Sequence, residues 1–295
     1  MSAPGMSYHV RNRARLGYRQ PIRDARLNLR LEPVTWPGQS VRGVTLSTDP
    51  QPAERIDHPG PYLVNVTTLS FDQPVQALTV TSEFDVEIAP PPLPAATPAI
   101  AALREAAGEE RELGALAPAP YLFASPLAAL DEAIGRWAAP HLPADRPVLE
   151  AAQAVSDAIH RAFAYDPAAT DSRTLPEEAF ARRRGVCQDF AHVLIVALRT
   201  HGIPAGYISG YLRTLPPPGR PRLVGADAMH AWAGVWCGHD AGWIGLDPTN
   251  ACLAREDHIV VAMGRDYADV APVDGVFVGS AAQATHFAVD VVELA

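Results

Sequence analysis

The stretch RRGVCQDFAHVLIVALRTHGIPAGYISGYL, residues 183–212, decides how the chain is read. Gly185 opens it, apolar side chains recur at helical spacing after Cys187, and His201-Gly202-Ile203-Pro204 stops the helix. The alternation of AGYISGYL then predicts a strand over 205–212. A cysteine therefore stands at the first turn of a helix that leads into a strand. Unpaired backbone N–H groups and the positive end of the helix dipole favour a thiolate there, and Gly185 permits close approach of the chain. Alone, Cys187 has three readings: a buried apolar filler, a metal ligand or a nucleophile.

Two later stretches bear on that choice. In MHAWAGVW, residues 229–236, strand alternation puts His230, Trp232, Gly234 and Trp236 on one face. In GWIGLDPTN, residues 242–250, Asp247 ends a short strand before a proline. Each has an ordinary structural reading, a satisfied core histidine and a turn aspartate. Together they supply nucleophile, base and orienter in chain order, and adjacent antiparallel strands can bring the carboxylate to the imidazole and the imidazole to the thiol.

The totals describe a folded chain of 295 residues, 48% apolar and 19% charged. A net charge of −9 leaves no basic surplus for a nucleic-acid partner. Arg182-Arg183-Arg184, the one tight basic cluster, reads as a solvated helix end. The three cysteines form no CxxC pair and suit a reducing compartment. No apolar run approaches the 18 or so residues of a membrane span, and MSAPGMSYHVRNRARLGYR lacks the apolar core of a signal peptide, so a cytoplasmic location with no membrane partner is expected.

Residues 1–90 read as an all-β, sandwich-like domain. YHVRNRARLGY, ARLNLRLEP, VRGVTLSTDP, YLVNVTTLSF and ALTVTSEFDVEI alternate apolar and polar positions. The proline-rich APPPLPAATPA, residues 89–99, marks a linker at 91–100. Residues 101–295 read as an α+β domain, helices first and an antiparallel sheet after. Helices are expected in 100–116, 126–142 and 147–167.

With these motifs in place, RRGVCQDFAHVLIVALRTHGIPAGYISGYL, GADAMHAWAGVW and GWIGLDPTN resemble the core of the transglutaminase-like superfamily, and more narrowly its bacterial cysteine-protease branch with an N-terminal β domain. The resemblance implies a papain-like α+β core with Cys187 as nucleophile, His230 as base and Asp247 as orienter. Two positions depart from the pattern. Met229 replaces a small polar residue before the histidine, and DHPGPYLVNV (57–66) replaces an Asp-x-x-Gly-Asn turn.

Such a site cleaves or transfers the acyl group of an amide through a thioester. Water as acceptor gives a peptidase or amidase, the favoured reading. A lysine amine gives a glutamine transamidase, and a chain that keeps the fold without chemistry is a binding module. A peptide or protein substrate is the expected partner, with no cofactor and no metal: HExxH, calcium-loop, GxGxxG, P-loop and GxSxG motifs are absent. Oxyanion candidates are the Cys187 backbone N–H, Gln188 and Tyr165. Asp189 is expected to cap the helix and His192 to pack. Asp227 is a loop carboxylate that could line the cleft, and Cys237 and Cys252 are expected to be inert. The insert LRTLPPPGRPRLVG (212–225) is either a substrate-facing loop or a surface turn, and the β domain could gate the cleft, dock a substrate or pair two chains through an exposed edge.

Overall fold

The computed structural model describes residues 5–214, 228–279 and 283–294. The first five strands are β1 (Met6–Leu29), β2 (Gln39–Asp49), β3 (Glu54–Pro59), β4 (Asn65–Phe71) and β5 (Val75–Ile88). Then follow α1 (Ile100–Glu109), α2 (Glu132–Ala138), α3 (Val148–Ala162), β6 (Ala164–Tyr165), α4 (Pro176–Arg182), β7 (Arg184–Gly185) and α5 (Cys187–Thr200). The chain ends through β8 (Ala205–Leu212), β9 (Ala228–Trp236), β10 (Trp243–Asp247), β11 (Cys252–Leu253), β12 (His258–Gly264), α6 (Tyr267–Val270), β13 (Val273–Val278) and β14 (Gln283–Glu293).

Strand β1 organises the N-terminal part. Tyr8, Val10, Asn12, Ala14, Leu16 and Tyr18 face inward while Arg11, Arg13 and Arg15 face solvent, the period of a half-buried strand. Its first half pairs with β5 and β14, and its second half with β4 and β13. Register shifts between Gly17 and Ile22 against β5 curl the sheet around a core that includes Leu16, Ile22, Leu27, Leu69 and Leu78.

The second part is built on α5. Every residue from Asp189 to Arg199 is buried, as befits a helix at the centre of a core. It packs on β8 and β9 on one side and on α2, α3 and α4 on others. The sheet order is β11-β10-β9-β8-β12, all antiparallel. This is the expected α+β layering, a helical layer on an antiparallel sheet preceded by a β-rich unit.

Strand pairing crosses the expected division at residue 100. Strands β13 and β14 return to β1, where Tyr8 faces Glu293 and Leu29 faces Val273. Both ends of the chain thus share one sheet, and the last strands belong to the N-terminal unit. The proline-rich segment is a strap along the core rather than a free linker: Pro98 accepts from Val148 N (2.9 Å) and Pro91 from Arg255 Nη1 (2.9 Å). The expected helix over 126–142 begins only after Asp131, whose carboxylate accepts from Ile134 N (2.7 Å) and caps it.

The β unit also closes the edge of the second sheet. Strand β12 lies outermost, and Val34 N donates to Val261 O (3.1 Å) while Met263 N donates to Leu63 O (2.8 Å). Leu63 lies in DHPGPYLVNV, so the turn that departs from the family pattern is one that meets β12. Between these contacts Gln39 acts as a substitute strand. Its Nε2 donates to Val260 O (2.8 Å) and Val34 O (3.0 Å), and its Oε1 accepts from Val260 N (2.8 Å). Gln39→Ala leaves both backbone groups of Val260 unpaired in the interior. At about 1–3 kcal/mol for each of the two orphaned groups, urea unfolding should show a loss of about 2–6 kcal/mol with an unchanged m-value. Asn12 Nδ2 donates to Tyr211 Oη (2.8 Å) elsewhere in this junction, within a core shared by Tyr8, Val10, Ile259 and Val291.

Candidate active site

Cys187 is the first residue of α5 and is partly exposed. Two residues on, the Asp189 carboxylate folds back to accept from Val186 N (2.7 Å) and from Thr170 Oγ1 (2.6 Å). This is the expected cap, and it needs Gly185, because a Cβ there would collide with that carboxylate. Burial pushes the Asp189 carboxyl up despite those two hydrogen bonds. Ahead of the turn, β6 and β7 pair in parallel and Asp166 N donates to Gly185 O (2.9 Å), fixing where the chain enters the helix.

His230 projects from β9, next to β10, where Asp247 ends the strand. The imidazole and carboxylate meet through Nε2 and Oδ2 at 2.8 Å, with His230 8% and Asp247 0% exposed. His230 also lies close enough to Cys187 for the thiol's charge to act on it. Since Nε2 serves Asp247, Nδ1 is the nitrogen left for sulfur. Burial opposes a charge on His230, but its hydrogen bond to Asp247 and the negative charge of Asp247 and Cys187 lift its pKa to about 10. Burial likewise opposes charge on Asp247. Hydrogen bonds with His230 and His258, the charge of His230 and a hydrogen bond from Asn250 hold its carboxyl well below the usual range.

Asp247 is more heavily bonded than its place in GWIGLDPTN indicated. Oδ1 accepts from Thr249 N (2.9 Å) and Asn250 N (3.1 Å), the turn chemistry an Asp-Pro corner allows. Oδ2 accepts from Asn250 Nδ2 (2.7 Å) and His258 Nε2 (3.1 Å) besides His230. Neither Asn250 nor His258 was singled out from sequence. The "TN" after Asp-Pro was a usable cue for Asn250. His258, at the head of an apolar strand in DHIVVAMG, carried none.

The other candidates separate. Gln188 turns its Nε2 to Ser172 O (3.2 Å), which engages one of its two amide protons. Tyr165 is 58% exposed and beside Phe190; burial and the charge of Cys187 raise its pKa, which places its hydroxyl in the electrostatic reach of the thiol. His192 packs against Tyr207 and accepts from Tyr267 N (3.2 Å), as expected of a packing residue. Met229 joins the core shared with the β unit, on the face opposite His230. Burial lifts Cys237 to about 12, and burial with the charge of Asp247 lifts Cys252 to about 11. Arg183 corrects the reading of the basic cluster: it adopts φ 53° and lays its guanidinium over Phe180 (3.7 Å), Phe163 and Trp137 rather than into solvent. Asp227 and residues 215–225 of the insert lie outside the described residues.

His230, Asp247 and His258 lie close enough to hold a cation. The donor geometry favours hydrogen bonding instead. His258 Nδ1 faces the N–H of Arg255 (3.4 Å), an arrangement that suits a ring proton on Nε2 directed at Asp247. A metal-bound imidazole needs the reverse, a lone pair at Nε2 and an acceptor at Nδ1.

A cysteine heading a buried helix, packed on an antiparallel sheet whose neighbouring strands carry histidine and aspartate, defines a papain-like α+β protein. Residues 136–248 match the transglutaminase-like superfamily and residues 8–87 the bacterial transglutaminase-like N-terminal region. The chain belongs to the transglutaminase-like superfamily. Uncharacterized proteins of Mycobacterium tuberculosis and Mycobacterium bovis are 39% identical over 253 residues, covering 84% of this chain and 80% of theirs. A protein-glutamine gamma-glutamyltransferase of Pseudomonas aeruginosa is 37% identical over 93 residues, 30% of this chain but 14% of that protein. The crystal structure of a candidate cysteine protease from Cytophaga hutchinsonii superposes with a TM-score of 0.75 at 20% identity, over 100% of this chain and 93% of that one. That likeness shows the fold. The family and fold together support a cysteine-based enzyme.

Proposed function

We propose that Cys187, His230 and Asp247 are a catalytic triad and that the protein is a cysteine peptidase or amidase acting on peptide or protein amides. The observation that carries this reading is the single imidazole shared between the thiol at the head of α5 and a buried carboxylate. In this scheme the Cys187 thiolate attacks the substrate carbonyl carbon, and the electron pair of the C=O bond moves onto oxygen. The oxyanion forms where the Cys187 backbone N–H, one of the helix amides without an acceptor inside the helix, can donate to it. Tyr165 is the second candidate donor. As the C–N bond breaks, His230 gives its Nδ1 proton to the departing amine, and an acyl thioester stays on Cys187. Water then attacks, His230 Nδ1 takes its proton, and the acid leaves as the thiolate returns. Asp247 keeps the imidazole in the tautomer and orientation both steps need.

The alternative acceptor is a lysine amine, and the Pseudomonas glutamyltransferase supports keeping it in view. The triad is common to both outcomes. The reading is tested by alkylating the native protein with iodoacetamide from pH 4 to 10 and following each cysteine by peptide mass spectrometry. Cys187 should react selectively below about pH 6.5, with Cys237 and Cys252 silent there, and His230→Ala should move the Cys187 profile upward. If Cys187 titrates like an ordinary thiol, near 8.5, the enzyme reading fails and a binding module replaces it. Incorporation of a fluorescent primary amine into casein, against release of new amino termini, separates transfer from hydrolysis.

A further inference from the structure

Asp247 receives five donors: two backbone amides, the Asn250 amide, His230 and His258. The last of these has no part in the triad, yet it is as deeply buried as His230. His258 is 8% exposed, its Nδ1 accepts from Arg255 N at 3.4 Å, and its Nε2 meets Asp247 Oδ2 at 3.1 Å. The Trp232 indole forms a wall common to both imidazoles, 5.1 Å from His258 and 6.0 Å from His230 between ring centroids. Two residues beyond His258, Val260 is clamped by Gln39 from the β unit. The second imidazole is thus delivered to the carboxylate by a strand whose edge the N-terminal unit holds.

We propose that His258 is a positioning residue of the Cys187–His230–Asp247 site, acting through Asp247 by donating its Nε2–H to Oδ2 and so limiting the pull of that carboxylate on the proton of His230. This rests on the triad reading above. The physical argument is the division of one negative charge. Each neutral donor on Oδ2 stabilises the carboxylate and weakens its hold on the next donor. An Asp247 bound by His230 alone would keep the imidazolium protonated so firmly that transfer to a leaving amine would be disfavoured; with His258 in place, His230 stays charged beside the thiolate but can still release its proton. The titratable groups facing this pair are Cys187 from α5, Asp247 from β10, Cys252 from β11 and His258 from β12.

The test compares His258→Leu, which removes the donor, with His258→Gln, which can return an N–H to nearly the same point. On the triad reading the Cys187 alkylation profile, here followed beyond pH 10, should have a lower step, where the thiolate–imidazolium pair forms, and an upper step, where His230 loses its proton. In His258→Leu the upper step should move upward by about half a pH unit or more while the lower step stays, and His258→Gln should coincide with the native protein. An unmoved or lowered upper step in His258→Leu overturns the proposal, as does an equal shift in His258→Gln. Should the leucine variant not fold, His258→Asn, whose shorter amide falls short of Asp247, takes its place with the same expected shift. Nitrogen-15 NMR of histidine-labelled native protein tests the donor itself: His258 should show the Nε2–H tautomer, and an Nδ1–H tautomer overturns it. A native Cys187 that shows no selective reaction at low pH defeats the triad reading, and the tautomer measurement then still decides the His258–Asp247 bond.

Discussion

Asp247→Asn should lower the alkylation rate of Cys187 at pH 6 by about two orders of magnitude, and turnover of any amide substrate by about three or more. The first figure follows from the thiol. A cysteine with no imidazolium partner holds only about 0.3% thiolate at pH 6. The second reflects the orientation of His230. Five hydrogen-bond donors converge on the two oxygens of Asp247, and an asparagine offers one oxygen and one NH2 group to the same five. Wherever the amide nitrogen falls, N–H faces N–H, and His230 is driven to rotate or to change tautomer. The buried donors left over cost stability too, about 3 kcal/mol. Alkylation at pH 6 followed by mass spectrometry, with urea unfolding of the same variant, reads both effects. Native alkylation rates in Asp247→Asn would show that the carboxylate does not act on Cys187 through His230.

Gly185→Ala should lower stability by about 2–4 kcal/mol and abolish selective reaction of Cys187. The added Cβ occupies the space of the Asp189 carboxylate. Pushing that carboxylate aside breaks its bonds to Val186 N and Thr170 Oγ1 and leaves a buried acid without partners at the head of the central helix. The added Cβ also falls 2.7 Å from the Asp189 Cβ, so relief requires glycine at 189. In a Gly185→Ala/Asp189→Gly double variant the clash and the stranded buried acid are both removed, and the loss in chemical denaturation should be smaller than in Gly185→Ala alone. A double variant as unstable as the single one would place the damage in the β6–β7 pairing instead.

Both predictions concern residues that stand out in the linear text, and this is where sequence reasoning works well. The cap at Asp189, the glycine before it, the helix from Cys187 and the strands carrying His230 and Asp247 all follow from neighbours within a few positions. Their periods, 3.6 and 2, are properties of the local backbone. The same reasoning overran where an apolar run lacks a helix: PLAAL extends the pattern of α2 backward, but Ser125 and Ala128 pair across a turn and Asp131 starts the helix. It passed over α4, whose seven residues PEEAFAR are too few for a clear period.

Composition and spacing along the chain determined the family-like order of cysteine, histidine and aspartate, the helix that presents the thiol and the alternation of the strands, because each depends on short-range geometry that a string of residues carries. Only the tertiary structure decided that β13 and β14 rejoin β1 and that Gln39 closes the edge at Val260. It alone placed Arg199 at the core end of α5, bonded to Ala205 O, Phe123 O, Ser125 Oγ and Arg265 O, and His258 on Asp247. Those choices join positions far apart in the chain. Their free energy comes from burying paired polar groups and covering a strand edge, quantities that exist only once the layers are packed.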